Sequence, residues 1–490
     1  MGVVMRVTLI VFIGMLWLSG IVMAQEDGMF IDRTDLIEDN PTQRNYGVAV
    51  TDVDGDGAFE LFVAGFGTAN RNGARNTVLK WNGERFVDIA PDVLADNDGM
   101  AIGVAACDID ADGREEIYVL NTDTFGGQKQ ITDRLFAYNG SEWVDLFELP
   151  MNQEDLNFTA GRSVACVDRM GTGRYGVFVA NYGGPMRLYE VNDDGVVRDV
   201  APEVGVDLTT GGRALLSFPL VSERMDVFAG NEQGANFLFR NNGDGTFENV
   251  AVSAGVADPF ENVRGMAPID INRDGLIDVI YGNWEGPHRL YINNGDDTFT
   301  ESAPADMATP TRVRTVIAAD FDNDGSEEIF FNNIGQPNRL FRVVDGVPQE
   351  IAIGDADEPD GLGTGAAVGD FDGDGQLELL VSHGESGTQP LTLYKAAEND
   401  NNYLRVYPVT QFGAPARGAV VRLFNADGQQ MRVIDAGSGY LCQMEPVAHF
   451  GLGTAEAVER VEVQWPDGAT ATIDAPDVNQ QIRVVYPAGN

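Results

Sequence analysis

Among its 490 residues the chain carries 76 acidic and 32 basic side chains, for a formal net charge of −44. An acidic surface of this strength argues against nucleic acid and anionic membranes as partners. Beyond the N-terminus no stretch reaches the roughly 20 apolar residues that a membrane-spanning helix needs, and three cysteines (Cys107, Cys166, Cys442) are too few for a disulfide scaffold.

In chain order, the apolar run VTLIVFIGMLWLSGIVMA follows Arg6 and ends in Val22-Met23-Ala24 before Gln25, which reads as a secretory signal peptide over residues 1–24. No cysteine follows it to take a lipid anchor. The mature chain is expected to be secreted, extracellular or periplasmic, monomeric and not inserted in a membrane.

Residues 25–398 are organised around one recurring stretch, seen most fully as DFDGDGQLE from Asp370 to Glu378. Carboxylates at positions 1, 3, 5 and 9 surround a glycine at position 6, which permits the positive φ of a tight bend. Five copies hold the spacing: Asp52-Asp54-Asp56-Glu60, Asp108-Asp110-Asp112-Glu116, Asp270-Asn272-Asp274-Asp278, Asp320-Asp322-Asp324-Glu328 and Asp370-Asp372-Asp374-Glu378. At position 7 the backbone carbonyls of Ala58, Arg114, Leu276, Ser326 and Gln376 complete each set. Cages made only of oxygen suit a hard cation, so about five Ca²⁺ sites are expected.

Two further units, Asp168-Arg169-Met170-Gly171-Thr172-Gly173 and Phe218 to Asp226, keep the surroundings but lose the ligands. First positions at 52, 108, 168, 218, 270, 320 and 370 therefore mark seven units of 50 to 60 residues. That period reads as a seven-bladed β-propeller. An EF-hand is excluded because position 12 holds Val63, Val119, Tyr281, Phe331 and Val381 instead of a bidentate Glu. Strands flank each loop, GVAVTD before the first and ELFVAG after it.

Phe30-Ile31-Asp32 repeats the unit-ending triplets Phe86-Val87-Asp88, Trp143-Val144-Asp145, Phe247-Glu248-Asn249 and Phe299-Thr300-Glu301. The last unit lacks such an ending, so the N-terminal strand is expected to complete it and close the ring. Cys107 and Cys166 fall at nearly the same place in consecutive units. A bridge between them is one reading, and two buried free thiols are the favoured one.

Five residues beyond each ninth position stand Gly65, Asn121, Asn181, Asn231, Asn283, Asn333 and His383, on the face opposite the loops. This regular column suits side chains that satisfy loop backbone. The next column is irregular, Phe66, Thr122, Tyr182, Glu232, Trp284, Ile334 and Gly384, as a partner-specific surface would be. Phe66, Tyr182, Trp284 and His383 are the candidate contact residues, for an extracellular protein or glycan. No HExxH or GxSxG motif is present and the three histidines are scattered. A non-catalytic interaction module is favoured over a calcium-dependent lyase or hydrolase of extracellular polysaccharide.

Residues 399–490 break the repeat. NYLRVYPV, GAVVRLF, QMRVIDAG, ERVEVQWPDG and QIRVVYP read as strands of a small β-sandwich, with turns at Asp427-Gly428 and Asp467-Gly468. GSGYLCQ and HFGLG are expected as ordered loops. The seven units resemble FG-GAP (VCBS-type) repeats like those of the integrin α-subunit propeller. The C-terminal stretch resembles the ASPIC/UnbV domain through Gly418, Gly437-Ser438-Gly439-Tyr440-Leu441, His449-Phe450-Gly451-Leu452-Gly453 and Val463-Gln464-Trp465-Pro466-Asp467-Gly468. In this order the two are similar to the cartilage acidic protein family. The resemblance implies a secreted, acidic, calcium-binding protein that acts through interactions, with no established enzymatic activity.

Overall fold

The computed structural model describes residues 28–67, 74–426 and 428–487. The segment read as a signal peptide, and Asp427 of the Asp427-Gly428 turn, lie outside these residues. Among the described residues the repeats form four-stranded antiparallel sheets, the first from Asn45–Thr51, Glu60–Gly65, Thr77–Trp81 and Phe86–Asp88, and the third and fourth repeats join into one eight-stranded sheet where Gly176–Pro185 pairs with Thr209–Phe218. The innermost strands are Asn45–Thr51, Ala101–Cys107, Gly161–Val167, Thr209–Phe218, Val263–Ile269, Val313–Ala319 and Gly363–Gly369. Each lies against the next, and Gly363–Gly369 returns to Asn45–Thr51. The result is a closed propeller.

The second strands, such as Glu60–Gly65, Glu116–Asn121 and Glu328–Asn333, are buried along their whole length. Neighbouring sheets cover both faces of these strands, which explains why they read as unbroken apolar runs and do not alternate. The seam is closed as expected. Phe30–Asp32 pairs antiparallel with Thr392–Ala396, placing Phe30 opposite Ala396 and Asp32 opposite Tyr394. The last sheet thus gains its outer strand from the beginning of the chain.

Cys107 and Cys166 are joined in a disulfide, which corrects the favoured reading of two free thiols. They end adjacent innermost strands, and their Cα atoms are 6.2 Å apart, within bridging range. Cys442 is free and buried.

The C-terminal domain pairs a three-stranded sheet (Ala448–Gly453, Asn402–Pro408, Gln481–Val484) with a four-stranded one (Gly428–Val433, Val420–Asn425, Arg460–Gln464, Thr470–Asp474). Leu404, Val406, Val421, Leu423, Phe450, Val461 and Trp465 fill the space between them. HFGLG, expected as a loop, lies in strand Ala448–Gly453. Its alternate residues serve two surfaces, Phe450 in the sandwich core and His449 against the propeller residue Asn323.

GSGYLCQ leaves the sandwich altogether and enters the propeller axis. Cys166 N donates to Ala436 O (2.7 Å), Gly439 N to Met266 O (2.6 Å), Gln443 N to Val48 O (2.9 Å) and Val50 N to Gln443 O (3.1 Å). The Gln443 side chain accepts from Ala106 N at 2.8 Å. Innermost strands present a row of backbone groups to the axis, and this plug satisfies many of them. Its approach requires glycine: a Cβ at Gly47 would lie 2.1 Å from Leu441 O, and one at Gly103 2.8 Å from Leu441 Cδ2.

Arg417 holds the junction. Wholly buried, its guanidinium pairs with Glu115 and donates to Val50 O (2.9 Å) and Asp435 O (2.8 Å). Truncating one member leaves the other charge buried and alone. Arg417→Ala is expected to destabilise the protein by about 3–5 kcal/mol, read from chemical denaturation. A loss below about 1 kcal/mol would show that the junction does not depend on this pair.

Candidate metal centres and the opposite face

The five loops share one hydrogen-bond plan. The first-position aspartate accepts the N–H of the glycine at position 6: Gly57 on Asp52 (2.9 Å), Gly113 on Asp108 (3.0 Å), Gly275 on Asp270 (3.0 Å), Gly325 on Asp320 (2.9 Å) and Gly375 on Asp370 (3.0 Å). These glycines all have φ between 84° and 95°. The ninth-position acid reaches back to the N–H at position 2, as in Val53 to Glu60 (2.7 Å), Ile109 to Glu116 (2.9 Å), Ile271 to Asp278 (3.0 Å), Phe321 to Glu328 (3.1 Å) and Phe371 to Glu378 (2.7 Å).

This plan draws carboxylates together. Oxygens of Asp52, Asp54 and Asp56 lie within 4.8 Å of one another, as do those of Asp108, Asp110 and Glu116, of Asp320, Asp322 and Glu328, and of Asp370, Asp372 and Asp374. In the loop of Asp270, Asn272, Asp274 and Asp278, Asn272 Nδ2 donates to Asp274 at 2.8 Å. Burial, reinforced by the neighbouring acids, pushes Glu60, Asp108 and Asp278 up to about 7, and Glu378 and Asp320 up to about 8. Asp320 Oδ1 is buried without a hydrogen bond. Such crowding is relieved by a cation, and the all-oxygen donor sets fit calcium.

The ligand-poor units keep the turn with one acid. Asp168 accepts Thr172 N (3.0 Å) and Gly173 N (2.6 Å), and Asp226 gathers Leu220 N, Val221 N and Ser222 N at 2.8–2.9 Å.

Sequence reading missed a column of internal cations on the third strands. Lys80 Nζ sits 2.6, 2.7 and 3.1 Å from Asp54, Asp56 and Glu60. Lys395 Nζ is 2.8, 2.8 and 2.5 Å from Asp372, Asp374 and Glu378. Arg342 pairs with Asp322 and lies 3.2 Å from Glu328. The register of VLK, LFR and LYK is the signal that would have found it, since the same place holds Ala137 and Ile292 in the second and fifth units. Among the described residues no ion pair enters those two loops. Lys80→Met is therefore expected to lower the unfolding midpoint in chelator and to enlarge the gain from millimolar calcium. An unchanged difference between the two conditions would remove Lys80 from the electrostatics of the cage.

On the opposite face the asparagine column is structural. Asn181, Asn283 and Asn333 donate through Nδ2 to Pro185 O, Pro287 O and Pro337 O at 2.6–2.7 Å, and Asn121 accepts from Met100 N at 2.8 Å. His383 belongs with them. Only 2% exposed, its ring contacts Pro390 O (2.9 Å) and Glu358 (3.0 Å), so it is withdrawn from the contact surface proposed for it. Phe66 is half-buried against Tyr46. Tyr182 packs on Phe125 at 5.2 Å and Trp284 on Arg314 at 4.0 Å, both half-exposed. His288 and His449 are buried and hydrogen-bonded, to Asn283 N and Thr311 and to Asn323.

Family models match at both ends of this arrangement, FG-GAP-like repeats over residues 52–119, 223–281 and 270–331, and ASPIC and UnbV over 410–490. Cartilage acidic protein 1 of Mus musculus is 49% identical, covering 92% of this chain and 75% of its own length. The Homo sapiens protein of that name is 48% identical over 92% of this chain and 73% of its own. Among solved structures, the BP39L lectin from Burkholderia pseudomallei covers 73% of this chain and 98% of its own at 14% identity, with a TM-score of 0.46. The repeat matches fall on the carboxylate loops and the C-terminal match on the sandwich and its plug, and nearly half of all residues are shared along almost the whole sequence: the chain belongs to the cartilage acidic protein 1 family.

Proposed function

We propose that the protein is a secreted, calcium-stabilised interaction module without catalytic activity, which presents the face around Tyr182 and Trp284 to an extracellular protein or glycan. One observation carries this reading: the carboxylate loops lie at the junction of the two domains. Gly451 N of the sandwich donates to Asp320 (3.0 Å), and Arg405 pairs with Asp370 (2.9 Å). Asn401 Nδ2 donates to Asp322 O at 2.8 Å, and Tyr407 packs edge-on against Phe59 at 5.5 Å.

Ions in these loops would neutralise the crowded acids and brace the docked sandwich together. The domain-covered face is then committed to structure, which leaves the opposite face for recognition. The relatives carry in their name cartilage, a tissue whose matrix lies outside cells, and this supports secretion.

Thermal unfolding in about 1 mM calcium and in excess chelator tests the proposal. A site with a dissociation constant on the order of 10⁻⁴ M adds about 1.4 kcal/mol at that concentration, so several sites together should shift the midpoint by many degrees. Coincident curves would overturn the calcium reading. The choice of face fails if Tyr182→Ala and Trp284→Ala together leave partner binding intact.

A further inference from the structure

Every innermost strand carries a register shift near its end on the open face. The shifts fall between Asn45 and Val48, Ala101 and Gly103, Gly161 and Ser163, Gly212 and Ala214, Val263 and Met266, Val313 and Thr315, and Gly363 and Ala366. A β-bulge re-aims the residue it inserts. In four consecutive sheets that residue is an arginine: Arg162, Arg213, Arg264 and Arg314. Each follows the residue paired with the asparagine column, as in Gly161 opposite Asn181 and Val313 opposite Asn333.

The four guanidiniums converge on the axis around Tyr440, the tip of the plug, which Arg314 overlies at 5.9 Å. Trp284 lies under Arg314 (4.0 Å) and Arg264 (5.5 Å), Tyr182 under Arg213 (4.8 Å), and Phe125, 60% exposed, beside Arg162 and Arg213 (5.0 Å each). Acids compensate only part of this charge. Glu232 pairs with Arg213 and Arg264, and Glu385 with Arg314 at 2.8 Å. Arg162 has no carboxylate partner among the described residues and rests on the carbonyls of Phe125 (3.1 Å) and Thr124 (3.2 Å). Four nearly buried cations thus face two partly exposed anions in a protein of net charge −44. Burial and the neighbouring arginines push Arg264 down to about 10 and lower Arg162 as well.

We infer that this axial mouth binds the oxyanion of a compact acidic saccharide, a carboxylate or sulfate group held by the bulge arginines while the sugar lies against the Trp284, Tyr182 and Phe125 rim. Guanidinium forks match such oxyanions through paired hydrogen bonds, and aromatic faces cover the apolar side of a sugar ring. A long polyanion would be repelled by the surrounding acidic surface, and a compact one would not. The inference rests on the open face being the recognition face and gives that face a ligand class.

The test is calorimetric titration of the calcium-loaded full chain with sodium glucuronate, inorganic sulfate and glucose. Binding of glucuronate, sulfate or both, with glucose silent and affinity falling at least about tenfold in Arg162→Gln, supports the site and tells which oxyanion it takes. Arg312→Gln, an exposed arginine paired with Glu285, should leave affinity unchanged. Absence of binding by both anions, equal binding of glucose, or an Arg162→Gln variant of wild-type affinity would overturn it. Should Arg162→Gln not fold, Arg162→Lys keeps the charge, removes the fork and is held to the same tenfold loss. No macromolecular partner is used, so a negative result removes the anion site and leaves the interaction face to its own test.

Discussion

A closed ring of sheets creates an inner wall of backbone that has to find partners, and most of the molecule answers to that need. The innermost strands stand side by side around the axis and turn backbone amides and carbonyls toward it. Residues 436–445 of the C-terminal domain fill it, bonding in turn to Cys166, Met266, Val48, Val50 and Val368. Small residues at Gly47 and Gly103 are required by the same contact, because the plug's backbone and Leu441 occupy the space a side chain would take. The sandwich is therefore less an appended domain than the outer part of a stopper, and Arg417 is buried because it lies where stopper and ring meet.

On the covered face the governing term is repulsion between acids. Loops that fold by pulling three or four carboxylates together are eased by positive charge among them. Three loops draw part of it from their own sheet, through Lys80, Arg342 and Lys395, while among the described residues those of Asp108 and Asp270 have no ion pair of this kind. On the proposed calcium reading, the loops are thereby graded in how much charge an ion would supply. The ligand-poor turns of Asp168 and Asp226 show the other solution, one acid capping several backbone amides.

Spacing made the repeats legible, because loop geometry is local: an aspartate at position 1 and a glycine at position 6 specify the turn wherever they occur. The ring closure was legible for a similar reason, since Phe30-Ile31-Asp32 carries the wording of an outer strand. What escaped was everything decided across the axis. Cys107 and Cys166 bond because adjacent innermost strands bring them together, and their equivalent places in consecutive units allowed a bridge without deciding between it and two free thiols. HFGLG looked like a loop because its glycines are frequent, yet Gly451 is needed where the strand presses on Asp320. His383 shared its column with asparagines and took their role, and the arginines at the bulges follow no motif that alternation can detect.

The seam between the two ends of the ring has a temporal consequence. Phe30 and Ala396 are separated by 366 positions (396 − 30), yet they are neighbours in one sheet. Strand Phe30–Asp32 must wait, unpaired, until the last sheet emerges, and the segment that fills the axis emerges later still. Contacts of such sequence span form late. The final act of folding is accordingly a coordinated fastening of Phe30–Asp32 and the axial plug onto an almost finished ring, and a chain interrupted anywhere before residue 446 would leave its centre open.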